Sequence, residues 1–292
     1  PPSGSPATPP SGAPVATTPP PGVPPAGTVP NAQVIGAPPV VQSGPVMSAD
    51  ASYFQNDLSP YGRWFVAEDG QWYWQPAVAL SSPGWQPYWD AGHWVSTDQG
   101  WYWASDYPWG EVAFHYGRWH LHPRYGWVWF PERTWAPAWV VWRSGGEYCG
   151  WAPLPPGAVF DTVNGGFLWR GGHVGVDFDF GLGWNHFNFC YVREMGDRPI
   201  RHWRGDEVRV VFGHTAVLNT FATVRVGVGI GASVRIVNRG IEPARVERFR
   251  GRPVETVKVE TVRTTTVGGH GREVKTTTTR TVETGRREHD RR

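Results

Sequence analysis

The sequence predicts an all-β fold: repeated tryptophan-rich β-hairpins followed by a second antiparallel β region, flanked by disordered termini. Two observations carry this. Sixteen of the nineteen tryptophans fall between Trp64 and Trp151, and they recur in register. Tyr61-Gly62-Arg63-Trp64 precedes Trp72-Tyr73-Trp74; Ala91-Gly92-His93-Trp94 precedes Trp101-Tyr102-Trp103; Tyr116-Gly117-Arg118-Trp119 precedes Trp127-Val128-Trp129. The leading tryptophans lie 30 and then 25 residues apart, the period of a repeated supersecondary unit that buries its apolar face against its neighbours. The second observation is that glycine-containing turns separate aromatic and β-branched runs inside each unit.

Taken in order, residues 1–48 hold fifteen prolines and no Asp, Glu, Lys or Arg. Such a segment has too little apolar surface to offset its ordering entropy. A semi-rigid polyproline II spacer is expected over residues 1–50, with the folded part beginning near Ala51. Three hairpins follow. Trp64-Phe65-Val66 runs into Glu68-Asp69-Gly70 and returns as Gln71-Trp72-Tyr73-Trp74; Asp-Gly favours a tight hairpin because both residues tolerate positive φ. The second turn is Thr97-Asp98-Gln99-Gly100, and the third is His122-Pro123-Arg124-Tyr125-Gly126. The linkers repeat as well, through Trp85, Trp109 and Trp135. The module closes over Trp139-Val140-Val141-Trp142 and Tyr148-Cys149-Gly150-Trp151, and the prolines near residue 156 end strand pairing.

On each return strand the two tryptophans are two residues apart and share a face. The matched pairs are Trp72 with Trp74, Trp101 with Trp103, and Trp127 with Trp129. Many of these indoles belong to the core, where cross-strand aromatic pairs stabilise sheets. Sixteen in 88 residues is nevertheless more than a small β-module encloses, since Trp is rarely buried completely. These six are therefore the candidate exposed aromatic face, of the kind that marks a binding site.

The second region, residues 157–257, opens with an alternating stretch. Val174, Val176, Phe178, Phe180, Leu182 and Trp184 fall on one face, and Gly175, Asp177, Asp179, Gly181 and Gly183 on the other, as in a half-exposed strand. Residues 208–212, 224–230 and 234–237 read as further strands. Residues 258–292 form a Thr/Arg/Glu-rich tail. Part of it can form a long polar hairpin around Gly268-Gly269-His270-Gly271 or remain disordered, because neither face specifies a register; residues 285–292 are expected to be disordered.

The formal net charge is +2. From Ile241 onward there are thirteen Lys or Arg against eight Asp or Glu, a mildly basic, sign-mixed tail. The aromatic-rich region lacks the dense Lys/Arg that phosphate binding needs, so nucleic acid is not an expected partner. No run of eighteen apolar residues occurs, hence no transmembrane helix is expected. The chain begins at Pro1 rather than at a methionine, so an upstream piece is expected. The only cysteines, Cys149 and Cys190, can pair as a disulfide in an oxidising compartment or stay reduced in a cytosol.

No cofactor or metal is expected. Asp177 and Asp179 share a predicted strand face, a spacing that invites comparison with glycosidase carboxylates, but two solvated strand carboxylates give the same pattern. His120 and His122 are also two apart and lack a third ligand. His186 reads as a hydrogen-bonded core or edge histidine. No nucleophile signature or phosphate-cradling glycine loop is present.

Several long motifs resemble a family of exported, tryptophan-rich bacterial proteins, domain of unknown function 6600. They are Gly100-Trp101-Tyr102-Trp103-Ala104-Ser105-Asp106-Tyr107-Pro108-Trp109-Gly110, His115-Tyr116-Gly117-Arg118-Trp119, Tyr125-Gly126-Trp127-Val128-Trp129 and Tyr148-Cys149-Gly150-Trp151-Ala152-Pro153-Leu154-Pro155-Pro156. Tyr61-Gly62-x-Trp64, Gly183-Trp184-Asn185-His186-Phe187 and Val237-Asn238-Arg239-Gly240-Ile241 extend the likeness over roughly residues 53–257. The resemblance implies export from a Gram-negative cell to the periplasm, outer envelope or outside, and it supplies no activity. The hairpin alone is also similar to choline-binding and glucan-binding cell-wall repeats, whose aromatics form cages for quaternary ammonium or sugar, an analogy only.

The expected function is therefore that of an exported, non-enzymatic cell-envelope protein that uses exposed aromatic faces to bind a glycan or cell-wall polymer. A structural, assembly or protein-interaction scaffold is the alternative, and a glycan-active enzyme comes third.

Overall fold

The computed structural model describes residues 45–198, 203–226, 233–267 and 274–284, with the strands beyond Lys258 described by their backbone. The proline spacer up to residue 44, residues 227–232 of the glycine–valine segment and residues 285–292 lie outside the described residues. From Pro45 the chain forms one compact unit.

Its elements are mainly strands. The first half comprises α1 (Ala49–Leu58), β1 (Gly62–Val66), β2 (Trp72–Pro76), α2 (Ala77–Ser81), β3 (Gly92–Thr97), β4 (Gly100–Ser105), α3 (Gly110–Ala113), β5 (Arg118–His122) and β6 (Gly126–Phe130). Next come β7 (Val140–Gly145), β8 (Tyr148–Pro153), β9 (Val159–Phe160), β10 (Phe167–Trp169), β11 (Gly172–Val174) and β12 (Asn188–Tyr191). The chain continues through α4 (Asp206–Gly213), β13 (Ala216–Val217), β14 (Phe221–Val226), β15 (Ser233–Asn238), α5 (Pro243–Arg250), β16 (Thr256–Val267) and β17 (Val274–Thr284).

The hairpins expected from the turns are present as β1/β2, β3/β4 and β5/β6. They are not stacked in sequence order. The first and third share one sheet, β1-β2-β6-β5, joined where Trp74 faces Trp129. The second pairs instead with the tail in the sheet β17-β16-β3-β4, where β16 runs parallel to β3. A third sheet, β12-β8-β7-β13, takes its central hairpin from before residue 156 and its outer strands from after it. The Trp-rich region and the region that follows thus share a sheet.

Each hairpin places its leading tryptophan directly opposite the second tryptophan of its return strand: Trp64 faces Trp74, Trp94 faces Trp103, and Trp119 faces Trp129. The β7/β8 hairpin repeats the pairing with Trp142 opposite Trp151. What reads in sequence as the close of the array is a fourth unit. Glycine explains the Gly-x-Trp spacing. Gly62, Gly92 and Gly117 each lie two residues ahead of a leading tryptophan, and a Cβ on any of them would come within 3.0 Å of the indole of Trp74, Trp103 or Trp129 and of nearby backbone. The return indole lies over the bare glycine, which is how a β-hairpin accommodates two facing tryptophans. Gly117 also has φ +60°. Gly117→Ala should therefore combine left-handed strain with overpacking and cost about 2–4 kcal/mol. A denaturation midpoint indistinguishable from that of the parent would refute this account of the motif.

The hairpins share an aromatic core cluster, and a second cluster gathers the apolar residues of the second half. Trp94 lies 5.2 Å from Trp103 and 4.7 Å from Trp142, and Trp142 lies 5.9 Å from Trp151, centroid to centroid. The leading indoles Trp64, Trp94, Trp119 and Trp142 bury their Nε1–H groups without a hydrogen-bond acceptor. Their neighbours are ring systems, several of them edge-on, which supply the weak N–H···π alternative. Other indoles reach backbone carbonyls: Trp74 donates to Leu58 at 3.0 Å, Trp129 to Tyr116 at 2.9 Å and Trp151 to Tyr88 at 2.7 Å. Arg118 is also buried; its guanidinium stacks 3.5 Å above the Trp139 ring and meets Glu132 at 3.2 Å.

Two expectations for the second half are corrected, and one left open is decided. Residues 174–184 do not form a strand: β11 ends at Val174, and consecutive turns follow. The Asp179 carboxylate accepts the Gly181 N–H at 2.9 Å, and Phe180 and Gly181 adopt φ of 56° and 70°. Asp and Gly at alternate positions thus fold the segment into turns. The inside–outside alternation still holds, with Phe180 and Leu182 buried and Asp177, Asp179 and Gly181 exposed. Residues 208–212 belong to the helix α4 rather than to a strand. Val208 and Val211 are buried three apart while Val210 is 58% exposed, and Asp206 and Glu207 fill the first turn, where the helix dipole favours them. The tail, open between hairpin and disorder, forms the β16/β17 hairpin, anchored where Thr256 and Val257 pair with Ser96 and Thr97.

Candidate functional site

The six tryptophans expected to form an exposed face do not form one. Trp74, Trp101, Trp103 and Trp129 are at most 2% exposed, and Trp127 is 9% exposed. Trp72 alone is half-buried, with its Nε1–H donated to the Val46 carbonyl at 3.1 Å. The physical reason is the folding of the hairpins onto one another and onto the second half, which together enclose far more indole than one hairpin array can.

Other sequence candidates separate similarly. Asp177 and Asp179 sit on successive turns, with Asp179 occupied in capping its own. His120 and His122 lie side by side, ring centroids 5.9 Å apart, His120 stacking on Tyr73 and His122 3.6 Å from Glu68. Among the described residues no three of His, Cys, Asp and Glu gather as a metal site. Cys149 and Cys190 face each other across β8 and β12 with Sγ atoms 3.5 Å apart, both buried and both free thiols. The contact with Cys149 and burial push the Cys190 thiol well above its ordinary pKa.

Burial holds the imidazoles of His93, His120 and His186 below the ordinary 6.5. Their folded-state pKa is depressed, so the unfolded chain binds protons first as the pH falls. Stability is thus full above about 6.5 and declines below it. The melting temperature should drop on acidification through this window, and His120→Gln should shallow the drop. A flat profile from pH 7 to 5 would contradict it.

The accessible aromatic surface lies elsewhere, in an open groove of about 620 Å³. Four segments build it. The stretch after α2 contributes Gln86 above the buried Trp85, and the third hairpin contributes Tyr125 above the nearly covered Trp127. A single 3-10 turn places Trp184 and Asn185, and the residues before α4 supply Trp203 and Arg204. Trp203 is held edge-on between Tyr148 and Tyr191, at 5.5 and 5.1 Å. Arg209 from α4 lies over the Trp184 ring at 5.2 Å. The turn is set by Gly183, whose carbonyl accepts the His186 N–H at 3.0 Å. Gln75 is spoken for, since its amide joins the Tyr125 carbonyl to Arg63; Gln86 and Asn185 carry the amides that remain. A smaller cavity of about 260 Å³, walled by Trp89, Trp94 and Trp151, reaches Cys190 and shares Trp203 with the groove.

Sequence reasoning missed this groove because its aromatics come from distant segments. Trp184 and Trp203 are two of the three tryptophans outside the dense array, and that isolation was the signal available.

The groove and the hairpins place the chain among aromatic-rich β-proteins, and its tryptophan-rich part has relatives. Residues 55–158 match the family of unknown function DUF6600, the family that the repeated motifs resemble. That segment spans all four tryptophan hairpins. No curated protein and no solved structure shows significant similarity to the chain.

Proposed function

We propose that this protein is an exported, non-enzymatic envelope module that binds a glycan or cell-wall polymer in the groove between the third hairpin and the Trp184 turn. The observation that carries the reading is the combination of half-buried indoles with free amides in one open groove. Sugar rings present apolar C–H faces that stack on indole and hydroxyls that bond amides and guanidinium groups, so a groove offering both is suited to them. An open form fits a chain better than a small enclosed ligand. Among the described residues no helix is long and apolar enough to cross a membrane.

The test is sedimentation of the full chain with purified peptidoglycan and with a panel of insoluble polysaccharides, alongside Trp184→Ala and Trp203→Ala. Saturable co-sedimentation with a polymer is expected, weakened about two- to tenfold by either substitution, since each stacked aromatic contributes about 0.5–1.5 kcal/mol beyond its area. The melting temperature should fall far less than for a fully buried indole, because both are only half-buried and pack at the margin of the second core cluster rather than within the hairpin core. Absence of binding across the panel would sink the reading and turn attention to a scaffold role.

A further inference from the structure

We infer that the polymer recognised in this groove is anionic, a polysaccharide bearing carboxylate groups; the inference rests on the glycan reading above. The charged residues that line the groove are Arg124 and Arg204, and among the described residues no Asp or Glu lines it. Arg124 is neutralised by Glu68 at 2.6 Å. Arg204 is exposed and has no carboxylate partner among the described residues. Its guanidinium stands against Gly84, where a Cβ would meet it at 2.8 Å, so the absence of a side chain at Gly84 leaves room for it at the groove wall. A second guanidinium, Arg209, rests on Trp184 and likewise has no carboxylate partner among the described residues. Asp206 and Glu207 occupy the first turn of the same helix and, like Arg209, lie outside the groove wall itself.

Arg204 at the groove wall and Arg209 beside it on Trp184, neither with a carboxylate partner among the described residues, specify more than a sugar face. Guanidinium binds carboxylate through parallel N–H donors and keeps its charge at every relevant pH. An acidic sugar residue would stack its ring on Trp184 or Trp203 and place its carboxylate toward Arg204 or Arg209. A neutral polymer would leave both charges to solvent and gain nothing from them.

The experiment compares polygalacturonate with its methyl ester, the same backbone with the charge removed, and adds neutral chito- and cello-oligosaccharides. Binding of the full chain is followed by calorimetry at several salt concentrations. The acid form is expected to bind at least about tenfold more tightly than the ester, one charge-assisted hydrogen bond's worth, with an advantage that shrinks as salt rises. The Arg204→Gln, Arg209→Gln double variant should bring acid and ester to the same affinity at an unchanged melting temperature. Equal, salt-insensitive binding of acid and ester would overturn the anionic inference and leave the glycan reading standing. Tighter binding of a neutral oligosaccharide would do the same. Failure of every polymer, the peptidoglycan panel included, would remove the glycan reading and this inference with it.

Discussion

Trp129→Ala should destabilise the protein by about 3–5 kcal/mol, as large-to-small changes of a buried indole do. Trp129 is 0% exposed. It faces Trp119 within its hairpin and Trp74 across the β2/β6 seam. Its indole covers Gly117, packs edge-on against Phe54 at 5.2 Å and donates to the Tyr116 carbonyl. Alanine would open a cavity at the junction of two hairpins and α1, and the bare Gly117 below it prevents easy collapse. A domain's net stability is about 5–15 kcal/mol, so much of it would be lost. Urea denaturation followed by far-ultraviolet circular dichroism measures this. A shift under about 1 kcal/mol would mean that the hairpins are held by something other than their facing indoles. The contrast with Trp184→Ala, expected to cost far less stability and to weaken binding, separates core from site.

Oxidation should produce a change of similar size in the opposite direction. With glutathione disulfide as oxidant, Cys149 and Cys190 are expected to lose one proton and one electron each and join, while the oxidant is reduced to two thiols. The cysteines are directly opposed on antiparallel strands, a spacing within disulfide reach. Closing a loop between residues 41 apart should add about 4 kcal/mol through the unfolded state. The reaction should be slow near neutral pH, because the contact with Cys149 and burial raise the Cys190 thiol and leave little thiolate. Intact mass would fall by two hydrogens and the melting temperature would rise. A single mixed disulfide with glutathione, or an unchanged melting temperature, would show that the pair does not close.

The hairpins were legible because their information is local. Asp69-Gly70 and Gly100 fix turns, and Trp-x-Trp fixes a face. How the hairpins combine was not legible, since the contact between Trp74 and Trp129 joins residues from different units and nothing in either motif names the other. Alternation misled in residues 174–184, where Gly and Asp at every second position bend the chain while keeping the inside–outside pattern that a strand would have. Two helices carried signals that went unread: Pro243 and Gly251 bracket α5 as a first-turn proline and a left-handed cap, and Ser48 caps α1 ahead of the buried Ala51, Phe54 and Leu58. The groove was the least legible feature, because its aromatics converge only through tertiary folding.

The clustering of indoles within about 6 Å of one another has an optical consequence. Transition dipoles at such separations couple, so the cluster should absorb as a delocalised unit and give the native protein an exciton couplet in its far-ultraviolet dichroism. Excitation should also migrate between the rings before emission, leaving little of the total fluorescence to report on Trp184 or Trp203. The couplet should vanish in one step with the hairpins on heating, a built-in gauge of core integrity. A native spectrum without it, or one whose couplet fades well before the strands melt, would show that the rings do not hold these relative orientations in solution.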